Sequence, residues 1–101
     1  MQRYTLTAGA KKDLIEIWNY TFDRWGEAQA DTYIRKIEVG FYKIVKATAV
    51  EKKPLLSYAK LRSIRCEHHY IFFLKGDKPI ILAILHEKMD FIIRLQKILG
   101  G

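Results

Sequence analysis

The sequence predicts an α+β fold in which an antiparallel helical hairpin packs on a mainly antiparallel sheet. The first observation is a pair of amphipathic stretches, residues 8–25 and about 27–45, which only Gly26 separates. The second is a set of short strand-like stretches joined by turns, which cover residues 61–66, 69–75 and 80–85. With a leading strand and a short final helix, the predicted order is β-α-α-β-β-β-α.

The two helices are indicated by apolar side chains at helical spacing. The stripe of the first helix is Leu14, Ile17, Trp18, Thr21 and Trp25, and that of the second is Ala30, Tyr33, Ile34, Ile37, Phe41, Ile44 and Val45. Thr7 suits the N-cap of the first helix, and Gly26 suits a left-handed helix end. Gly40, within the second helix, costs about 1 kcal/mol relative to Ala. Either it lets another backbone approach closely, or it is simply tolerated.

The strands differ in their patterns. Residues 2–6 and 61–66 alternate in polarity, as half-buried strands do, whereas residues 80–85 form a continuous apolar run typical of a buried strand. Residues 47–59 contain a proline and have no period, so we expect a loop there. Asp90 suits the N-cap of the last helix, whose apolar side is Phe91, Leu95, Ile98 and Leu99.

The composition is that of one small globular domain spanning residues 1–101. Half of the residues are apolar and 13% are aromatic, which excludes a disordered chain. The longest apolar run is far shorter than the ~20 residues that a membrane helix needs, and the N-terminus has no signal-peptide pattern. The only cysteine, Cys66, cannot form an internal disulfide, which fits a reducing compartment. We therefore expect a cytoplasmic protein with no membrane segment.

The basic charge is concentrated in one part of the chain. The net charge is +7, and seven basic residues against one acidic residue between Lys43 and Arg65 give that stretch +6. Such a stretch indicates an acidic partner, which would be a nucleic acid, an enzyme acting on nucleic acid, or an acidic protein. The alternative is a solvated basic face that keeps the protein soluble.

Motifs for common cofactors and metals are missing from the sequence. It contains no glycine-rich phosphate loop, no dinucleotide fingerprint and no HExxH pattern, so we expect neither a cofactor nor a metal. His68 and His69 are neighbours in a strand and point to opposite faces, so they cannot readily bind one metal together. Cys66 with a histidine could form a nucleophilic pair, but a small buried apolar role is more typical of such a cysteine.

Two arginines and one histidine stand out among the remaining polar residues. Arg62 and Arg65 are three positions apart on one strand and therefore point to opposite faces. An arginine on a sheet face that the helices leave open could bind phosphate, or it could pair with Glu67 or Glu87. His86, at the end of a buried strand, could act as a general acid or base, or it could form a structural hydrogen bond with a turn.

The helical hairpin also offers apolar side chains away from its main stripes. The aromatic residues of the stripes are expected in the core; they are Trp18, Phe22, Trp25, Tyr33 and Phe41. Ile15, Phe22 and Val39 lie off the stripes, and two helices cannot bury every apolar face on a small sheet. An exposed apolar band of this kind indicates a protein partner that lays a helix or strand on it.

Three groups of residues form a recognisable pattern along the chain: Leu6-Thr7-x-Gly9-Ala10-x-x-Asp13-Leu14-x-x-Ile17-Trp18-x-Tyr20, Arg24-Trp25-Gly26-Glu27-Ala28-Gln29-Ala30-Asp31-x-Tyr33, and Ile84-Leu85-His86-Glu87-Lys88-Met89-Asp90. Through them nearly the whole chain resembles the ParE toxins of bacterial type II toxin–antitoxin systems, within the RelE/ParE superfamily. Leu61-Arg62-Ser63 and His69-Tyr70-Ile71-Phe72-Phe73 agree as well. One departure is the loop over residues 47–54, which lacks the usual Asn-Pro and glycines.

The resemblance implies a cytoplasmic toxin that traps DNA gyrase on cleaved DNA and so blocks replication. It also implies a ParD-type antitoxin that covers the hairpin and the sheet edge, and no sequence-specific DNA binding by the toxin alone. On this basis we expect antitoxin contacts at Ile15, Trp18, Phe22 and Val39. We expect target contacts at Arg62, Arg65, Lys88 and Arg94.

Two alternatives stay open. The first is a RelE-like, ribosome-dependent mRNA endonuclease, which needs basic residues around the scissile phosphate. The candidates for that role are Lys53, Arg62, Arg65 and His86. Such nucleases commonly carry a Tyr or His-Tyr near the end, where this chain has Met89-Asp90-Phe91. The second alternative is a family member that has lost its toxicity.

Overall fold

The computed structural model describes residues 3–48, 51–53 and 58–100. A short strand β1 (Thr5–Leu6) precedes two long helices, α1 (Ala8–Trp25) and α2 (Glu27–Lys46). The chain then forms the remaining elements β2 (Leu61–Cys66), β3 (His69–Leu74), β4 (Ile80–His86) and α3 (Phe91–Gly100). The predicted α+β class and order are confirmed. Strand β1 is shorter than predicted. Residue 2 of the predicted strand and residues 49–50 and 54–57 of the predicted loop lie outside the described residues.

The sheet is mixed, with the strand order β1-β4-β3-β2. Strand β3 is antiparallel to both β2 and β4, whereas β1 runs parallel to β4. The sheet is therefore mainly antiparallel, as predicted. A register shift between Phe72 and Phe73 leaves one extra residue on β4, which is a β-bulge.

Both faces of the sheet are covered. The helical hairpin packs on one face, where Ile37 and Phe41 of α2 meet Ile71 and Ile81. Helix α3 packs on the other face through Leu95, in a second apolar cluster with Leu61, Phe72 and Leu85. The expectation of a sheet face left open for an arginine is wrong, because the final helix is amphipathic and buries its apolar side there.

Helix α1 completes the open edge of β4. Strand β1 pairs with only two residues of β4, so the rest of that edge needs other partners. The hydroxyl of Thr7 donates to the carbonyl oxygen of Leu82 over 3.2 Å and also accepts from the amide of Ala10 over 3.0 Å. The carboxylate of Asp13 accepts a hydrogen bond from the amide of Ile84 over 3.0 Å. The predicted N-cap at Thr7 is confirmed, and it ties helix and sheet together.

The fold requires glycine at two positions, for different reasons. Gly26 adopts φ = +90° between the helices, a backbone conformation that residues with a side chain rarely accept. A Cβ at Gly40 would lie 2.8 Å from Cδ1 of Ile71. Gly40 therefore lets the side chain of Ile71 on β3 approach α2 closely. The close approach of another backbone, which the sequence led us to consider, is not the reason.

Exposure of the helix aromatics differs from the expectation that all of them lie in the core. Phe41 is fully buried, but Trp25 is 64% exposed and Phe22 is 44% exposed. Both lie in the last turn of α1, just before the turn at Gly26. Within the described residues, no helix has both the length and the apolar character needed to cross a membrane.

Candidate functional site

The outer surface of α1 carries an apolar band formed by the exposed Ile15 and Phe22 and the half-buried Trp18, which we call the α1 band. These residues are spaced by three and four positions and therefore share one side of the helix. Ile15 is 61% exposed, and the rings of Trp18 and Phe22 stack with centroids 5.0 Å apart. The indole N–H of Trp18 donates to the Asp31 carboxylate over 2.9 Å. That hydrogen bond holds the band against α2, so the apolar surface is preorganised for a partner.

Val39 does not belong to the α1 band. Asp31 marks the side of α2 that faces α1, because it bonds Trp18. Val39 is eight residues further along, which places it about 80° further around the helix. It lines a groove between α2 and β2 instead. The expected antitoxin-binding residues therefore fall on two surfaces, with three of the four together.

A network of charged and aromatic side chains closes the end of the sheet beside the β2–β3 and β4–α3 loops. We call these loops and the strand ends next to them the strand-end corner. One carboxylate oxygen of Glu87 lies 2.6 Å from Nη2 of Arg65, and the other lies 3.0 Å from Nδ1 of His68. Arg65 also donates to the hydroxyl of Tyr70 and to the carbonyl oxygen of Glu67, each over 3.0 Å. The hydrogen bond from His68, then the charge of Arg65, lower the pKa of Glu87.

Next to this network, α2 is joined to the sheet through Tyr33 and His69. The Tyr33 hydroxyl lies 2.6 Å from Nδ1 of His69 and accepts from the amide of His68 over 3.3 Å. Burial, followed by repulsion from His86 and His68, lowers the pKa of His69 to about 4. His69 is therefore neutral at neutral pH, and its Nδ1 can accept a hydrogen bond from the Tyr33 hydroxyl.

His86 has a structural role in the corner. Its Nδ1 accepts a hydrogen bond from the amide of Lys88 over 3.1 Å, and its carbonyl oxygen accepts from Met89 over 2.9 Å. These bonds form the turn between β4 and α3, so the structural alternative for His86 is the one that the geometry supports. The ring also lines a groove of about 830 Å³ between the hairpin and the corner, together with Tyr20, Trp25, Tyr33 and His69.

The four residues considered for a nuclease do not converge. Arg62 and Arg65 point to opposite faces of β2, and Arg65 is paired with Glu87. Arg62 donates through Nη1 to the carbonyl oxygens of Ala59 and Leu61, over 3.0 and 2.8 Å. His86 faces the hairpin and Lys53 is exposed in the loop before β2, so no common phosphate position is formed.

The expected target-binding residues are also divided. Arg62 is held by its own chain, and its pairing with Glu67 or Glu87 is not seen, since Arg65 makes the pair with Glu87. Arg94 of α3 is near enough to Asp13 of α1 for its charge to act on that carboxyl, and Lys88 lines the groove between the hairpin and the corner. Burial raises the pKa of Asp13, and Arg94 opposes that rise. Arg65, Lys88 and Arg94 thus remain as exposed cations around the strand-end corner, and Arg62 does not join them.

Cysteine and metal chemistry receive no geometric support within the described residues. Cys66 is half-buried and packs against the apolar cluster under the hairpin. Burial raises the pKa of its thiol, which disfavours the reactive thiolate. No group of three or more His, Cys, Asp or Glu side chains in the described parts of the chain has the arrangement of a metal site.

Sequence reasoning missed the part that Tyr33, His69 and Glu87 play together. The helical spacing places Tyr33 in the core stripe, and the sequence indicates Glu87 only as a partner for an arginine. The strand pairing brings His69 opposite His86, far apart in sequence. The hint available beforehand was the abrupt change from an apolar strand to ionisable residues after Leu85.

The chain is similar in sequence to known proteins. The family model described as "ParE toxin of type II toxin-antitoxin system, parDE" matches residues 4–91. A curated Toxin ParE from Escherichia coli is 42% identical over 103 aligned positions that cover 100% of both chains. Toxin ParE1 from Caulobacter vibrioides is 30% identical, over 89% of this chain and 94% of that protein.

A solved structure shares the architecture. It is described as "Chromosomal ParDE TA system from P. aeruginosa", and it matches with a TM-score of 0.68 over 85% of this chain and 96% of that chain. At 20% identity this likeness concerns the fold, a helical hairpin on a small sheet. With the family match and the full-length relative, the chain belongs to the ParE toxins of type II toxin–antitoxin systems.

Proposed function

We propose that this protein is a cytoplasmic gyrase-poisoning toxin that a ParD-type antitoxin neutralises, with residues 1–101 acting as one domain. The observation that carries the antitoxin part is the preorganised α1 band, an exposed apolar surface on a family member. Exposed apolar side chains on a small basic protein favour a protein partner. The solved structure with the same fold is named for a ParDE system, which supports an antitoxin of that type.

The antitoxin in this proposal lays an apolar helix face along Ile15, Trp18 and Phe22. Trp18 is the anchor, because its ring is stacked on Phe22 and its N–H is already satisfied by Asp31. A partner would therefore bury apolar area without leaving a polar group unpaired. Val39 is a separate, secondary contact in this proposal, reached only if the antitoxin continues across α2.

The target surface in this proposal is the exposed part of the strand-end corner with Arg65, Lys88 and Arg94. The toxin acts by binding and not by chemistry of its own, because the basic residues that a nuclease needs are dispersed over two faces of the sheet. Arg65 is oriented by Glu87 and Tyr70, so it presents a fixed edge to a partner.

The test combines two assays on the purified, antitoxin-free toxin. One measures supercoiling and cleaved complexes of DNA gyrase with plasmid, and the other measures in vitro translation. We expect inhibited supercoiling, accumulated cleaved DNA and unaffected translation. Inhibited translation with unaffected gyrase would refute the proposal and favour the endonuclease alternative.

A charge-neutralising pair locates the target surface. The variant K88Q/R94Q should require several-fold more toxin for the same inhibition of gyrase. The matched control K11Q/K12Q removes the same charge from exposed positions of α1 and should leave the inhibition unchanged. Equal losses in the two pairs would show that overall charge matters and that the strand-end corner does not.

A further inference from the structure

A second groove, separate from the α1 band, lies between α2 and the edge strand β2. It encloses about 710 Å³ and is lined by four basic side chains with one acidic side chain among them. The basic residues are Lys36, Lys43, Lys52 and Arg65, and the acidic residue is Glu67. We call this the basic groove. Gly40 and Ile64 are buried residues of its lining, and the missing side chain of Gly40 lets Ile71 pack close against α2 there.

The lysines of the basic groove are positioned by regular backbone structure. Lys43 stands in the last turns of α2, and Lys46 follows one turn later. Lys52 pairs with the edge of β2, since its amide and carbonyl groups exchange two hydrogen bonds of 2.9 Å with Ser63. The loop that carries Lys52 and Lys53 is thus attached to the sheet beside the C-terminal end of α2.

Charge in the basic groove is not balanced by nearby carboxylates. Glu51 is turned inward, 3.1 Å from the ammonium of Lys75. Glu67 forms an ion pair with Lys36 over 3.2 Å, and Glu87 forms an ion pair with Arg65. Within residues 3–48, 51–53 and 58–100, no carboxylate lies at ion-pair distance from a set of four exposed cations, which is Lys43, Lys46, Lys52 and Lys53.

We propose that the basic groove binds the sugar-phosphate backbone of duplex DNA without reading its sequence. DNA presents closely and regularly spaced negative charges. Two unpaired lysines of the groove, Lys43 and Lys52, match that pattern together with Lys46 and Lys53, which lie beside them in the chain and outside the groove lining. The lining residues include no Asn or Gln, and the guanidinium of Arg65 is engaged by Glu87 and Tyr70. The groove therefore lacks the free bidentate groups that distinguish bases.

An acidic peptide is the competing occupant. The basic groove disfavours it because the groove offers few exposed apolar side chains. Peptide and protein partners need buried apolar anchors at the centre of their interface. The exposed apolar side chain that lines this groove is Val39, whereas the apolar anchors of the hairpin lie on the α1 band. The DNA interaction goes beyond the proposed function and is independent of it, because it is measured without gyrase or antitoxin.

The experiment measures the affinity of the purified toxin for a fluorescein-labelled duplex of random sequence by fluorescence anisotropy. If the four unpaired lysines each contact one phosphate, the plot of log K against log salt has a slope of about −3.6. That slope corresponds to a roughly hundredfold loss of affinity between about 50 and 200 mM salt. A second duplex of different sequence should bind equally well.

The triple variant K43Q/K46Q/K52Q should bind at least tenfold more weakly than the unaltered chain, and its salt slope should be smaller by about 2.7. The matched control K11Q/K12Q/K97Q removes the same charge from exposed positions outside the groove and should keep both affinity and slope. Circular dichroism confirms that both variants are folded.

Three results would overturn the inference. One is the absence of salt-dependent DNA binding by the unaltered chain. Another is an equal loss of affinity in both triple variants, which reflects net charge alone. The third comes from a poly-glutamate peptide as probe: if K43Q/K46Q/K52Q loses affinity for that peptide but keeps it for DNA, the groove takes an acidic peptide.

Discussion

Tyr33 on α2 and His69 on β3 share a hydrogen bond of 2.6 Å that joins the helical hairpin to the sheet. The same hydroxyl accepts from the backbone amide of His68, so one phenol holds both the strand end and the loop before it. Burial raises the pKa of Tyr33, which keeps its hydroxyl protonated and able to donate. The strand-end corner thus depends on a neutral imidazole at His69.

The first prediction is that acid destabilises the protein through His69. Its pKa is about 4 in the folded protein against 6.5 ordinarily, so the unfolded chain binds the proton more readily between these values. Stability is therefore fully present above pH 6.5 and is lost as pH falls toward about 4. Since the ring is only partly buried, we expect this loss to be roughly 1–3 kcal/mol.

Urea unfolding across that pH range, for the unaltered chain and for H69Q, provides the measurement. Carboxylates such as Glu87 titrate in both proteins, so the difference between the two curves isolates His69. The variant should lose less stability on acidification. Parallel curves would mean that His69 has no part in the acid sensitivity.

The second prediction concerns Asp13. Its carboxylate accepts the hydrogen bond that a neighbouring strand would otherwise accept at the edge of β4. D13A removes the acceptor of the Ile84 amide, and a buried unpaired amide costs about 1–3 kcal/mol of the free energy of unfolding. D13N keeps an acceptor oxygen and should lose less. D23A alters an exposed residue of the same helix and should stay within about 0.5 kcal/mol of the unaltered chain.

Thermal or urea unfolding of these three variants gives the comparison. The order of stability should be D23A, then D13N, then D13A. If D13A is as stable as D23A, the amide of Ile84 finds another partner and α1 is not needed at that edge.

The third prediction tests the close approach of Gly40 and Ile71. G40A places a Cβ 2.8 Å from the present position of Cδ1 of Ile71, which is fully buried and has little room to move. The clash opposes the roughly 1 kcal/mol that Ala contributes to a helix relative to Gly. Because I71V deletes that terminal methyl group, G40A should be more favourable in an I71V background than in the unaltered chain.

A double-mutant cycle of unfolding free energies measures this coupling. We expect a coupling of about 0.5–3 kcal/mol in favour of the double variant. Additive effects of G40A and I71V would show that the helix shifts and that the two positions do not constrain each other.

The fourth prediction concerns the α1 band. F22D places a charge on the apolar surface proposed for the antitoxin, and it should weaken antitoxin binding at least tenfold, or about 1.4 kcal/mol. Folding should change less, because Phe22 is 44% exposed. Calorimetric titration of the toxin with the antitoxin measures the affinity, and circular dichroism measures the fold.

V39D is the comparison for F22D, because it also introduces a carboxylate at an exposed apolar position, in this case a secondary contact on the other helix. It lies away from the α1 band and should weaken antitoxin binding less than F22D does. A larger loss with V39D would move the antitoxin interface to α2 and the basic groove.

Local chemistry alone determined most of the secondary structure. Thr7 and Gly26 set the ends of α1. The side chain of Thr7 accepts from the amide of Ala10, and the amide of Gly26 donates to the carbonyl oxygen of Phe22, so both ends follow from residues close in sequence. The alternation over residues 61–66 likewise predicted β2 with the observed bounds. The exposure of Ile15 and Val39 was predictable too, because side-chain direction in a helix follows from spacing.

The tertiary structure decided which of these faces meet. Periodicity does not indicate which strands pair or which helix covers which sheet face. Long-range packing therefore decided the parallel pairing of β1 with β4 and the coverage of the second sheet face by α3. It also decided the exposure of Trp25. The strand-end corner has the same origin. Glu87 lies 22 residues from Arg65 in sequence, and the pairing of the β3 strand with both neighbours brings them within 2.6 Å. Sequence determined which groups were available at that corner, and the sheet register determined which of them are paired and which remain free for a partner.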